Sequence, residues 1–163
     1  MARSLRLALV FAAAAALSGQ ARGGAGFSPF AKDMLAAHNA VRARLKLRPL
    51  AWSDRLADFA RDWAETLANQ HEFFHRSRNP YGENLFEITG AAATPEKVVA
   101  AWASESASYD RKSNTCYGVC GHYTQIVWRD THSVGCAMAR SLDRQVWVCN
   151  YDPPGNVVGQ RPY

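Results

Sequence analysis

Two ionisable side chains stand where the hydrophobic pattern calls for an apolar one. His38 falls on the stripe Met34, His38, Val41 and Leu45, and Glu105 on the stripe Val98, Trp102, Glu105 and Tyr109, both at helical spacing. Turning such groups inward costs free energy unless a partner is supplied. An imidazole and a carboxylate so placed could act as general base and acid, or hold a divalent ion. They could equally be a satisfied core histidine and a paired glutamate that only lock the packing. No activated serine or cysteine accompanies them, and the His-Glu-x-x-His helix of zinc proteases is absent.

The other reactive side chains are Cys116, Cys120, Cys136 and Cys149, all in the last third of the chain. Four cysteines in a secreted protein read as two disulfides with three possible connectivities. Structural zinc is the weaker alternative, because Cys116 and Cys120 have metal-like spacing while Cys136 and Cys149 form no close second pair.

The elements that must position these groups carry clear boundary signals. Ser28 and Pro29 open a first helix through "FSPFAKDMLAAHNAVRARLKL", as cap and first helical residue. Ser53 caps a second, whose inner stripe is Leu56, Phe59, Ala60, Trp63 and Leu67. A loop follows from His71 to Ala93, and Thr94-Pro95 starts a third helix. Beyond Cys120 the period changes to two: "HYTQIVWR" places His122, Thr124, Ile126 and Trp128 on one face, predicting a strand. "VGCAMARS" and "QVWVCNY" predict two more strands, joined as a hairpin through "LDR". Helices first and strands later predict an α+β domain with an antiparallel sheet covered by helices.

Residues 1–21 are excluded from the fold argument. Arg3 and Arg6 precede an apolar run from Leu7 to Leu17, and small residues at Ser18, Gly19 and Ala21 suit cleavage between positions 18 and 25, the pattern of a secretory signal peptide. The run is shorter than the about 20 residues of a spanning helix. The chain has 19 Lys and Arg against 14 Asp and Glu, and losing Arg3, Arg6 and Arg22 leaves 16 against 14, no case for nucleic acid. Arg42, Arg44, Lys46 and Arg48 cluster at a helix end, where cations complement the dipole. No Asn-x-Ser/Thr site is present, so N-glycosylation is not expected.

Long motifs point further. "AHNAVRA", "LAWSDRLADFARDWA", "YGENL", "GHYTQIVWRDT" and "CNYDPPGNV" together make residues 28–163 resemble the CAP superfamily, which holds cysteine-rich secretory proteins, insect venom antigen 5 and plant pathogenesis-related group 1 proteins. The plant branch fits best. The resemblance implies an α-β-α sandwich with a central cleft lined by His38, Glu83, Glu105 and His122. It also implies a possible divalent ion such as zinc on His38 and His122, or, as the alternative, a metal-dependent hydrolase using all four. Plant members usually have six cysteines. Here His71 and Ser141 stand at two of those positions, and the expected bridges are Cys116 with Cys120 and, by default, Cys136 with Cys149. Trp147 is bulkier than the aliphatic residue the second motif prefers.

What the resemblance implies about function is a secreted, apoplastic, monomeric defence protein. It would bind sterol or another lipid and act on pathogen membranes, with no catalytic residue and no required cofactor. The final segment, Pro153 to Tyr163, has three prolines and two glycines, and reads as neither helix nor central strand. In plant members the corresponding eleven residues can be released as an immune signal by an extracellular protease and sensed by a receptor. The register predicts cleavage between Asp152 and Pro153.

Overall fold

A computed structural model describes residues 27–163. The expected signal peptide and its cleavage positions lie outside the described residues. Helix α1, Pro29–Arg44, begins as predicted, with the Ser28 hydroxyl accepting the Ala31 N–H at 3.2 Å. Strand β1, Ala51–Trp52, leads into α2, Asp54–Gln70, where Ser53 accepts the Leu56 N–H at 3.4 Å. Strand β2, Gly82–Thr89, then precedes α3, Pro95–Ser104, and a 3-10 turn over Glu105–Ser108. A short hairpin of β3, Tyr109–Asp110, and β4, Thr115–Cys116, leads to α4, Gly121–Ile126. The chain closes its sheet with β5, Ser133–Ser141, and β6, Arg144–Asp152.

The four-stranded sheet has the order β1-β5-β6-β2, antiparallel except where β1 runs parallel to β5. Alternation on β6 divides the core in two. Val146 and Val148 meet Ala60, Ala64 and Leu67 of α2, while Trp147, Cys149 and Tyr151 meet Met34 of α1, Val98 and Trp102 of α3 and Ile126 of α4. Helices on both faces make this the expected α-β-α sandwich. Gly135 of β5 lets α2 lie directly on the sheet, since a Cβ there would press into backbone atoms of Ser53 and Ala57.

Two local expectations fail. Residues 82–89, read as loop, form β2, which pairs along its whole length with β6, from Gly82 opposite Tyr151 to Thr89 opposite Arg144. Pairing with a distant strand, and not local alternation, makes that segment extended. The predicted strand through "HYTQIVWR" is instead α4, with Tyr123, Thr124, Gln125 and Ile126 all buried. A helix enclosed on most sides shows no amphipathic period. Its first turn is capped from outside, by the Glu105 carboxylate accepting the N–H groups of His122 at 3.0 Å and Tyr123 at 3.3 Å.

The basic cluster also divides. Arg42 is not a solvated cation at a helix end but fully buried. Its guanidinium donates to the carbonyls of Arg48, Ile126 and Trp128, each at 2.8 Å, and of Thr131 at 3.3 Å. Burial lowers its pKa to about 10, so it remains a cation at neutral pH. One side chain therefore ties α1 to the loop that carries α4 into β5.

Candidate functional site

The predicted tetrad resolves into two His–Glu pairs, and His38 belongs to neither. In one pair, the Glu105 carboxylate accepts a 2.6 Å bond from Nδ1 of His122, whose ring stacks on Trp102 with centroids 6.1 Å apart. In the other, Glu83 of edge strand β2 accepts from Nδ1 of His75 at 2.9 Å, from the Arg76 N–H at 3.0 Å and from Asn79 Nδ2 at 3.0 Å. Glu83 and Asn84 are neighbours on β2 and point to opposite faces, and Asn84 Nδ2 donates to the His122 carbonyl at 3.1 Å.

His38 is a core residue. It is wholly buried, its Nδ1 donating to the Met34 carbonyl at 2.7 Å and its Nε2 accepting the Tyr151 hydroxyl at 2.8 Å. Tyr151 in turn accepts from Asn84 at 3.1 Å, so a buried chain of bonds runs from α1 through β6 and β2 to the backbone of His122. Burial lowers the His38 pKa to about 4, with the Met34 carbonyl opposing the shift and Arg42 adding to it. Burial also pushes the Tyr151 hydroxyl well above its usual value. The network holds neutral groups and fixes packing.

His75 is the residue that sequence reasoning missed. It sits in the loop after α2, where no period marks an inward face, and only its place eight residues before Glu83 could have signalled the pairing. The bond from Glu83 raises its pKa above the ordinary histidine value, against the effect of partial burial. Both carboxylates hold their histidine through Nδ1, so that in the neutral ring the lone pair stands on Nε2. Among the described residues no hydrogen bond engages Nε2 of His75 or His122. A carboxylate behind the ring is the arrangement that supports a metal-binding imidazole. His75 and His122 thus have donors that fit a divalent ion, whereas the predicted ligand His38 has neither nitrogen free.

Among the described residues the one group of three ligand-type side chains within 4.8 Å is His38, Cys136 and Cys149. It binds nothing, since the two cysteines are joined to each other. They face across the β5–β6 register, and Cys116 is joined to Cys120, so both pairings are the expected ones.

The C-terminal segment, neither helix nor strand as expected, is bound down at several points along its length. Gly155 N–H donates to Gln125 Oε1 at 2.9 Å, Thr124 Oγ1 donates to Asn156 Oδ1 at 2.7 Å, and Arg129 N–H donates to the Pro162 carbonyl at 2.6 Å. Pro162 is buried, and the Tyr163 hydroxyl lies 2.9 Å from that of Tyr123. The carbonyl of the predicted scissile bond accepts the His132 N–H at 3.0 Å, and the Asp152 carboxylate meets Arg55 at 3.0 Å. A protease reaches that bond only after the end of β6 has opened.

A model of the cysteine-rich secretory protein family, CAP, matches residues 35–151. The chain is 43% identical to pathogenesis-related protein 1 of Arabidopsis thaliana over 133 residues, covering 81% of each. It is 46% identical to pathogenesis-related protein 1A of Nicotiana tabacum over 135 residues, covering 81% of this chain and 80% of that protein. Venom allergen-like protein 4 of Schistosoma mansoni superposes with a TM-score of 0.71 at 25% identity, over 84% of this chain and 95% of that one.

Proposed function

The chain belongs to the cysteine-rich secretory protein (CAP) family, and on that footing we propose that it is a secreted plant defence protein of the pathogenesis-related group 1 type. In this reading it is a lipid carrier and not an enzyme. It withdraws sterol from a pathogen membrane and holds a releasable signal in its last eleven residues.

The observation that carries the reading is a groove between α1 and α3. It encloses about 480 Å³ and is lined by Ala37, Ala40, Val41, Val99, Ala100 and Ala103, with Arg44 and Glu96 beside them. The volume is in the range of small-molecule sites, and the small apolar lining suits a flat hydrocarbon with a polar end. A fluorescent sterol is expected to bind saturably to the intact protein. Ala100→Trp, which fills the groove from an exposed position, should weaken that binding about tenfold or more. Non-saturable uptake by the parent protein would remove the carrier reading.

Metal chemistry in this reading rests with His75 and His122. A bound divalent ion would act as a Lewis acid, and the protein's part is to hold both Nε2 lone pairs outward by means of Glu83 and Glu105. The competing hydrolase built on His38, Glu83, Glu105 and His122 loses His38 to the core.

Release of the tail has its own test. Incubation with extracellular fluid from wounded plant tissue should free Pro153 to Tyr163 from the parent protein and not from Asp152→Asn. The paired carboxylate is partly exposed and its ion pair contributes little to stability, so the variant keeps the fold. Equal release from both proteins, read by intact mass, would rule out recognition of Asp152.

A further inference from the structure

Four large apolar side chains are exposed where the tail crosses the disulfide loop: Tyr117 at 76%, Val119 at 68%, Val157 at 43% and Val158 at 99%. They belong to two segments that share one cavity of about 320 Å³, lined by Cys116 and Gly121 on one side and by Val157, Gly159 and Pro162 on the other. Neither the fold nor the groove between α1 and α3 uses them. Cations are gathered beside them. The Arg161 guanidinium donates to the backbone carbonyls of Arg111 and Lys112, and the Arg111 guanidinium lies 4.8 Å over the ring of Tyr163. All three basic residues are exposed. The acid of the same hairpin, Asp110, is occupied by the Lys112 N–H at 2.8 Å and the Ser113 hydroxyl at 2.5 Å.

From this juxtaposition we propose that the surface formed by residues 111–119 and 157–161 docks the protein on an anionic lipid bilayer. Apolar tips flanked by cations are what an interface of acyl chains and anionic headgroups accepts. A polyanionic chain would use the cations alone and leave Tyr117, Val119 and Val158 in water. The surface is separate from the lipid groove, and docking needs no sterol. It also shares residues with the releasable tail, so loss of Pro153 to Tyr163 would remove Val157, Val158 and Arg161 from it.

The test is co-sedimentation of the full mature chain with sterol-free vesicles of phosphatidylcholine, with and without about 30% phosphatidylserine. The expected result is binding to the anionic vesicles alone, weakening steeply as salt rises from about 0.05 to 0.5 M. The pair Val119→Asp and Val158→Asp should weaken it about tenfold. Removing Lys112 as Lys112→Ala should weaken it about fivefold. The substituted side chains are exposed, and unchanged thermal midpoints will show that the fold is kept. Equal binding to neutral vesicles overturns the proposal, as does absence of binding to either. So does salt-sensitive binding that the two aspartates leave unchanged and that polygalacturonate reproduces, since that result assigns the surface to a polyanion.

Discussion

Replacing Arg42 by lysine, which keeps the charge, should lower unfolding stability by about 3 kcal/mol. The guanidinium is planar and forked, and here it satisfies four carbonyls from two loops at once. An ammonium on a flexible stem can reach one or two of them. The Ile126 and Thr131 carbonyls are then at risk of being left buried without a donor, each costing about 1–3 kcal/mol, whereas the Trp128 carbonyl keeps the Thr131 N–H and that of Arg48 lies nearer solvent; the charge itself stays desolvated. The loss should be larger for Arg42→Met, which supplies no donor, though release of the buried charge offsets part of it. Urea denaturation reads both variants, with the midpoint falling and the slope unchanged. A lysine variant within about 0.5 kcal/mol of the parent would mean that solvent reaches those carbonyls. The consequence extends to the site, because the loop held by Arg42 follows the helix that carries His122.

The second large effect is a dependence on pH carried by His38. Its pKa in the folded protein is about 4, below the ordinary 6.5 of the unfolded chain. Between those values the unfolded chain binds a proton that the folded protein refuses. Stability from this group is therefore complete above pH 6.5 and is lost as pH falls toward 4. At about 1.4 kcal/mol for each unit, the loss is about 3 kcal/mol. His75 has the opposite sign, since its raised pKa contributes stability below its unfolded value and loses it as pH rises through the folded one. The two act in different windows and can be separated. His38→Gln keeps polar groups toward Met34 and Tyr151 and does not titrate. The difference in unfolding free energy between parent and variant should shrink as pH falls from 7 to 4. Parallel curves would show that water enters the His38 site.

The division between local and distant information is visible in particular residues. Ser28, Ser53 and Thr94 mark three helix starts that the structure retains, because a cap is a contact between a side chain and an N–H three residues away. The β5–β6 hairpin was legible for a similar reason, with alternating residues on either side of a short turn. The family motifs named Glu105 and His122 as members of one cleft without pairing them, and the two bridges join the cysteines expected, Cys116 with Cys120 and, taken by default, Cys136 with Cys149.

What the amino-acid order alone determined is the family, the helix starts, the hairpin and the presence of histidines and glutamates able to do polar chemistry. Only the tertiary structure decided which histidine does what. The helical period marks His38 as inward and leaves His75 in a loop, but neither pattern names Tyr151 or Glu83 as the partner. The same holds for α4, capped by a glutamate from another element, for β2, made extended by β6, and for Arg42, buried by carbonyls from two loops. In each case the deciding partner is far along the chain. A polar group's role follows from the groups that desolvate and bond it, and those are assembled only when the layers pack.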